Sequence, residues 1–308
     1  MRYRESGRLD TSSVQDRRGG SGGRMGGGRG MAVGGGGLGL VGLVVVVLVQ
    51  VLGGSGGGSG SAAPSVLDQL GSGQTADNGA LQQSCDEVAD ANSSVDCAVV
   101  ADIDSIQDYW GQALGTGYRP ADTVFFADSV QTGCGGATSG TGPFYCPADQ
   151  LVYIDLTFFD DLQTQFGAEG GLFVNAYILA HEYGHHVQNL LGTNQQVTQG
   201  ETGPTSGSVR LELQADCYAG SWANHAETVP DETGQPLIVD ITDDDISRAL
   251  DTAGRIGDDY IQENLGDGTA DEGSFTHGSS EQRQRWFTTG YSTGDPNQCD
   301  TFGTDDLG

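Results

Sequence analysis

The chain contains no lysine, and arginine supplies all 13 of its basic residues. Seven of those arginines precede residue 30, so residues 31–308 set six arginines against 39 acidic residues and carry a formal charge of −33. A surface with that charge repels nucleic acids and anionic lipid headgroups. The composition therefore excludes nucleic-acid binding, and its simplest consequence is solubility in an exposed setting.

Histidine and methionine are also scarce, and both shortages limit the kinds of metal site available. There are five histidines, and the three methionines all lie at or before Met31. No C-x-x-C pair occurs among the six cysteines, which argues against a zinc site built from thiolates. A metal centre in this chain must therefore be built from imidazoles and carboxylates.

Residues 181–185 read HEYGH, an H-E-x-x-H motif. Apolar residues recur at three- and four-residue steps across 172–191, which predicts a buried helix. On a helix His181 and His185 share one face and can bind one metal ion, while Glu182 lies beside it. A carboxylate there can take a proton from the water that zinc activates. The motif therefore predicts a zinc hydrolase.

A catalytic zinc site needs a third protein ligand, and the segment 209–222 is the best place to find it. Glu212 and Asp216 are one helical turn apart there, among apolar residues typical of a core helix. One carboxylate can bind the metal while the other accepts the second ring N–H of a ligand histidine. We take Glu212 as the ligand and Asp216 as the outer partner.

Four segments carry a family resemblance: HEYGHHVQ, ELQADCYAGSWA, FTHGSSEQRQRWF and GDPNQCDTF. They resemble the bacterial family of neutral zinc metallopeptidases, and the resemblance extends over almost the whole chain. The wider gluzincin group follows H-E-x-x-H with E-x-x-x-D. This implies that Glu212 is the third ligand, that Asp216 holds a zinc-bound histidine, and that one zinc per chain acts on peptide or protein substrates.

The metzincin alternative does not fit the sequence. That pattern needs glycine and histidine where this chain has Gln188 and Leu191, and it needs a methionine turn beyond the site.

The other histidines differ in their surroundings. His186 lies about 100° round the predicted helix from His185 and is expected to be a partly exposed polar neighbour. His225 falls near a predicted helix end and is expected to be structural. His277 lies in a polar turn before a predicted helix, where it could donate a hydrogen bond to a developing oxyanion. Tyr291 is a weaker candidate for that role.

The start of the chain reads as a membrane-anchoring region. Residues 1–37 are rich in Arg and Gly and are predicted to be disordered and cytoplasmic. Residues 38–52 are almost wholly Leu, Val and Gly and are predicted to be a transmembrane signal anchor. Residues 53–83 form a Gly/Ser-rich linker, and 84–308 form one extracytoplasmic metallopeptidase domain.

A cleaved signal peptide is the alternative, with secretion of the mature protein. Ser61 and Ala63 then occupy the small-residue positions of a cleavage site. The stretch before the apolar run is unusually long for a signal peptide, so a retained anchor is favoured.

All six cysteines follow the apolar run, which favours disulfides formed in an oxidising compartment. Fifteen pairings are formally open, and free thiols are a further alternative. Short loops favour two local pairs and leave a third: Cys85–Cys97, Cys134–Cys146 and Cys217–Cys299.

The predicted fold class is α+β, a zincin-like domain with a small sheet and a helical C-terminal half, preceded by one transmembrane helix. Strands are predicted at 123–126 and 151–158, and helices at 102–114, 172–191, 246–265 and 280–288. The segment 151–156 is expected to be an edge strand that binds extended peptide.

Three functions remain in competition, and the oligomeric state is open. The leading one is a membrane-anchored zinc endopeptidase in which His181, His185 and Glu212 bind the ion and Glu182 activates water. The alternative is a catalytically silent envelope protein with a structural or ligand-binding zinc site, for which a general base has no use. A chaperone or adhesin-like module would explain the acidity but not the motifs.

Overall fold

The computed structural model describes residues 1–19 and 76–308 of the chain. The helices are α1 Gly79–Ser84, α2 Val95–Leu114, α3 Phe158–Thr164, α4 Leu172–Leu191, α5 Gly207–His225, α6 Asp243–Arg255, α7 Asp258–Asn264 and α8 Ser280–Thr293. The strands are β1 Arg2–Tyr3, β2 Val14–Asp16, β3 Thr123–Phe125, β4 Ser129–Thr132, β5 Gly135–Thr138, β6 Phe144–Cys146, β7 Leu151–Ile154 and β8 Ile238–Asp240. The mixture agrees with the predicted α+β class.

A four-stranded sheet with strand order β2-β3-β7-β6 forms one side of the domain. β2, β3 and β7 are parallel, and β6 is antiparallel to β7 at the edge. The prediction that 151–156 is the edge strand is wrong, because β7 pairs with β3 on one side and β6 on the other. The antiparallel edge strand Phe144–Cys146 takes that position instead.

The two faces of this sheet bury different partners, because successive side chains of a strand point to opposite faces. Phe125, Val152 and Ile154 join the main core, which is built mostly from helix residues. Phe126 and Tyr153 belong to a smaller cluster on the other face, together with residues of the β4–β5 hairpin. One face of the sheet is therefore left to support the long helices.

The long helices pack closely because glycines lie where they cross. A Cβ atom on Gly220 of α5 would lie 2.1 Å from the carbonyl oxygen of Phe287 in α8, and one on Gly290 of α8 would lie 1.9 Å from that of Cys217. A Cβ on Gly184 of α4 would come within 3.0 Å of the Ala215 backbone in α5. Helices α4 and α8 thus both pack directly against α5.

The prediction that the N-terminus is disordered is wrong for residues 1–19. β2 extends the main sheet and β1 pairs with β8, while Tyr3 and Val14 are fully buried. Arg4 pairs with Asp231 of the acidic domain. Arg2, Arg8 and Arg18 also form ion pairs with acidic residues of the described chain.

This pairing also bears on topology. Strands of one sheet lie on the same side of a membrane, so a single crossing between residues 19 and 76 could not separate β2 from β3.

The predicted anchor at 38–52 lies outside the described residues. Within residues 1–19 and 76–308, no helix is both long and apolar enough to span a bilayer. The predicted linker ends earlier than expected, because Asp77 and Asn78 bond to the β2 backbone and α1 begins at Gly79. The folded domain therefore includes residues that we assigned to the linker.

Three predicted elements have different limits in the structure. The strand that begins at Leu151 stops at Ile154, because the Asp155 carboxylate accepts the Thr157 N–H in a turn that leads into α3. The predicted helix 246–265 is two helices, divided where Gly257 approaches the Ser280 backbone too closely for a side chain. The helix predicted from 102 begins at Val95, where Ser94 caps it.

The three favoured cysteine pairs all form disulfides: Cys85–Cys97, Cys134–Cys146 and Cys217–Cys299. The first joins α1 to α2, and the second joins the β4–β5 hairpin to the edge strand. The third ties α5, the helix that carries Glu212, to the C-terminal tail.

Candidate metal centre and catalytic site

The donor atoms of His181, His185 and Glu212 converge between α4 and α5. His181 Nε2 lies 3.2 Å from one carboxylate oxygen of Glu212, and His185 Nε2 lies 3.4 Å from the other. The buried Gly184 lets α5 approach this turn of α4. The spacing of four residues and the close helix crossing therefore bring three donors to one point.

These residues fit a zinc ion. Ligands bonded at about 2 Å in tetrahedral geometry lie roughly 3.3 Å apart, close to the separations between Glu212 and each imidazole. Two imidazoles and one carboxylate form the donor set of many catalytic zinc sites. In the part of the chain that the structure describes, no other group of three His, Cys, Asp or Glu residues could share an ion.

An ionic network surrounds the outer nitrogen of His181. Its Nδ1 donates to Asp216 Oδ1 at 2.8 Å, and the Tyr177 hydroxyl donates to the same oxygen at 2.7 Å. Arg283 of α8 donates through Nε to Asp216 Oδ2 at 2.9 Å and through Nη2 to Oδ1 at 3.1 Å. The Asp216 side chain is fully buried, so these donors replace the water that an ionised carboxylate requires.

The pKa values follow from that network. Burial opposes ionisation of Asp216, but the Arg283 guanidinium and His181 hold its pKa below the ordinary value. Burial also opposes protonation of His181, yet the Asp216 carboxylate outweighs it and raises the pKa to about 10. Asp216 therefore stays ionised and fixes the orientation of the His181 ring.

A neutral network surrounds the outer nitrogen of His185. Its Nδ1 lies 2.8 Å from Oε1 of Gln188, one turn further along α4. Burial lowers the pKa of this histidine, and its partner at the outer nitrogen is an uncharged amide, which does not reverse the shift. Both ligand rings are thus held at Nδ1, which leaves each Nε2 facing Glu212.

Glu182 lies beside the three donors and is 8% exposed. Burial raises its pKa to about 7, although His181 and a hydrogen bond from the Tyr145 backbone N–H act in the opposite direction. Glu212 is equally enclosed, but the two imidazoles hold its pKa well below the ordinary value despite the burial. Two neighbouring carboxylates therefore differ in proton affinity, and Glu182 is the one able to exchange a proton near neutral pH.

His277 lies in a loop that Asp258 fixes. One oxygen of this carboxylate accepts the backbone N–H groups of Thr276, His277 and Gly278 at 2.6 to 3.0 Å, and the other lies 3.3 Å from His277 Nδ1. Burial opposes protonation of His277, but Asp258 and the charge of Glu212 raise its pKa. Asp258 therefore fixes the loop, and the charge of Glu212 acts on the His277 ring.

The remaining candidates make structural contacts. His186 is 1% exposed, not partly exposed as expected, because its ring lies between the Tyr145 hydroxyl and the Arg119 carbonyl. His225 stacks on a tyrosine ring and bonds to a backbone carbonyl. Tyr291 stacks on the Phe287 ring and its backbone carbonyl accepts from Asn224, so in the described part of the chain its contacts are with α8 and α5 and not with the donor cluster.

Sequence reasoning missed four residues of the site: Tyr177, Gln188, Asp258 and Arg283. Two of them had a usable signal, because Tyr177 precedes His181 by four residues and Gln188 follows His185 by three, which places them on the ligand face of α4. Arg283 was detectable only as one of six arginines beyond residue 30. Its partner lies 67 residues away, so the pairing depends on tertiary structure.

The site combines a zincin-type donor set on one buried helix with a glutamate from the next helix, and a sheet with an antiparallel edge strand lies beside them. These features define the site as one of the zinc metallopeptidase class. The chain belongs to the family described as "Putative neutral zinc metallopeptidase", whose model matches residues 1–302.

Two bacterial proteins are similar to this chain in sequence. The "Uncharacterized protein Rv2575" of Mycobacterium tuberculosis H37Rv is 52% identical over 225 residues, which cover 73% of this chain and 76% of the relative. The "Uncharacterized protein YpfJ" of Escherichia coli K12 is 38% identical over 97% of this chain and 99% of its own length. No solved structure matches the chain.

Proposed function

We propose that the chain is a zinc-dependent peptidase in which His181, His185 and Glu212 hold one zinc ion. The observation that carries the proposal is the convergence of these three donors beside Glu182, a buried carboxyl group with a pKa of about 7. A zinc ion at this place would act as a Lewis acid and lower the pKa of a bound water. The family membership supports the same conclusion.

Glu182 is the proposed general base. A base is most effective when its pKa lies near the working pH, and burial brings this carboxyl group to that range. It takes a proton from the attacking water and passes it to the leaving amine. The Tyr145 backbone N–H, which belongs to the edge strand, donates a hydrogen bond to this carboxylate.

His277 is the proposed oxyanion donor. Asp258 and Glu212 favour its protonated form, and Asp258 fixes the backbone on which it lies. A protonated imidazole near the scissile carbonyl can stabilise the negative charge that develops there. The substrate is proposed to be an extended peptide within a longer chain, added to the antiparallel edge strand β6.

The proposal is tested with Glu182→Gln, which keeps the side-chain shape but removes the base. Zinc content should stay near one per chain, and cleavage of a peptide library should fall by roughly 100-fold or more, the contribution typical of general-base catalysis. Glu201→Gln is the matched control, because this glutamate is exposed. Wild-type cleavage by Glu182→Gln would show that the mechanism is wrong. Zinc without cleavage in either protein would favour the silent envelope protein.

The proposed location is extracytoplasmic, with membrane attachment through residues 38–52. Three disulfides support an oxidising compartment. The condition added by the strand pairing is that residues 1–19 lie in the same compartment as the domain. Arg8→Cys and Glu201→Cys, both at exposed positions, should label equally with a membrane-impermeant maleimide in spheroplasts. Labelling of Glu201→Cys alone would overturn the shared compartment.

A further inference from the structure

Gln188 is buried and makes three hydrogen bonds through its side-chain amide. It is 1% exposed, and its Oε1 faces His185 Nδ1 at 2.8 Å. Its Nε2 donates to the Leu211 carbonyl at 2.7 Å and to Gln214 Oε1 at 3.1 Å. The amide therefore connects a metal-ligand candidate on α4 with two positions on α5.

Gln214 continues the chain of hydrogen bonds. Its Nε2 donates to the Cys299 carbonyl at 2.8 Å, and its side chain is buried. Cys299 is held against α5 by its disulfide with Cys217. The amide relay Gln188–Gln214 thus runs from His185 to the C-terminal tail.

The direction of this relay is fixed by two backbone carbonyls. A carbonyl can only accept a hydrogen bond, so Cys299 requires the NH₂ group of Gln214, and Leu211 requires the NH₂ group of Gln188. Gln188 then has only its oxygen left for His185. A flip of Gln188 would set its oxygen against the Leu211 carbonyl and Gln214 Oε1. A flip of Gln214 would set its oxygen against the Cys299 carbonyl and its NH₂ group against that of Gln188.

We infer that Gln188 is a positioning residue for the metal centre, which through its fixed amide oxygen keeps the proton of His185 on Nδ1 and the lone pair on Nε2. The relay with Gln214 makes the C-terminal tail part of that arrangement. The inference rests on the proposed function in one respect, since it takes His185 as a zinc ligand. A ligand held in the correct tautomer does not have to lose a proton or rotate before it binds the ion.

The central test is Gln188→Met, with Gln196→Met as the control. Methionine fills a similar volume and removes both the acceptor and the donors, and Gln196 is exposed on the short turn after α4. The ¹⁵N-edited NMR of the histidine rings is recorded on chelator-treated, full-length protein that carries Glu212→Ala, because the Glu212 carboxylate also faces His185 Nε2. In that background His185 should show Nδ1–H with Gln188 and with the control substitution. Gln188→Met should show mixed tautomers, and its Zn²⁺ affinity in chelator competition should fall 10- to 100-fold.

Gln188→Glu separates positioning from packing. Glutamate restores an acceptor for His185 Nδ1–H, but it also places a carboxylate beside the Leu211 carbonyl. It therefore packs less well than methionine, but it orients the His185 ring better. The expected result is an Nδ1–H tautomer and a higher zinc affinity than Gln188→Met. If methionine retains the wild-type tautomer and affinity, or binds zinc better than glutamate does, Gln188 only fills space and the inference is overturned.

Gln214→Met keeps the proposal testable if changes at Gln188 prevent folding. It leaves the Leu211 bond intact, so the fall in zinc affinity should be smaller than for Gln188→Met but larger than for the control. If the Zn²⁺ affinity of Gln214→Met equals that of the control, Gln214 and the C-terminal tail take no part in positioning His185. Both readouts are independent of peptide cleavage, so a failure of the proposed peptidase activity would not be mistaken for a failure of this inference.

Discussion

His181 and His185 lie one turn apart on the same helix and face the same glutamate, yet their outer nitrogens meet different chemistry. The first is held by a carboxylate that an arginine neutralises, and the second by an amide. The pKa of His181 is raised to about 10, whereas that of His185 is lowered. The two networks, ionic around His181 and neutral around His185, show that one orienting task can be met by charge or by a fixed dipole.

The difference is explained by which element lies beyond each ring. Behind His181, α8 crosses α5 at glycine contacts close enough for Arg283 to reach Asp216, so a buried carboxylate is accompanied by its counter-ion. Behind His185 lies the Gln188 amide, which bonds to the Leu211 carbonyl of α5 and, through Gln214, is linked to the Cys299 carbonyl of the tail. Backbone carbonyls accept from amides but cannot neutralise a carboxylate. A carboxylate in place of Gln188 would therefore be buried without a counter-ion.

The largest expected effect comes from breaking the ionic network at its centre. Asp216→Asn leaves Arg283 charged and buried, which costs about 3–5 kcal/mol of unfolding free energy. Urea unfolding of the chelator-treated protein measures it. Asp251→Asn, which breaks the more exposed pair with Arg255, should cost no more than about 1 kcal/mol. Equal unfolding free energies for Asp216→Asn and Asp251→Asn would show that the buried ionic network contributes no more to stability than a more exposed ion pair.

A double-mutant cycle sharpens the comparison with a smaller effect. Asp216→Leu leaves the buried Arg283 without its carboxylate, and Arg283→Met leaves the buried Asp216 with only His181 and Tyr177, while the double variant removes both charges. We expect the double variant to be more stable than the sum of the single changes implies, by about 2–3 kcal/mol. Additive single effects, measured by the same urea unfolding, would mean that the two side chains do not act as a unit.

The smallest effect is a difference in acid stability. The pKa of Asp216 is lowered in the folded protein, so its contribution is present above the unfolded value of about 3.9 and is lost as the pH falls through the folded pKa. The neutral network has no such group. The double variant at Asp216 and Arg283 should therefore lose less stability than wild type as the pH falls below about 4. Parallel stability curves for the two chelator-treated proteins would disagree with this account.

The sequence predicted the site wherever a spacing of a few residues determined which side chains share one face of a helix. H-E-x-x-H placed two ligands and a base on one face of a helix, and the spacing of Glu212 and Asp216 placed both on the facing side of α5. The favoured cysteine pairs were confirmed because short loops limit the alternatives. Arg283 and the tail carbonyl of Cys299 were missed because contacts between distant segments have no periodicity.

The N-terminus was misjudged for a related reason. Gly- and Arg-rich composition predicts disorder when averaged over a window, and two-residue or three-residue strands such as β1 and β2 contribute little to such an average. These strands are held by contacts with the rest of the chain. Tyr3 and Val14 are buried, and the arginines pair with acidic residues of a domain that has few positive charges of its own. The acidity of the domain thus has a structural use that composition alone did not reveal.

The central claim is that one zinc ion lies between His181, His185 and Glu212. Anomalous diffraction from crystals of the full-length protein, recorded on both sides of the zinc absorption edge, tests it most directly. The account predicts one peak per chain at about 2.0–2.2 Å from Nε2 of both histidines and from a Glu212 carboxylate oxygen. A zinc peak elsewhere in the chain, or zinc-loaded crystals with no peak between these three side chains, would contradict it.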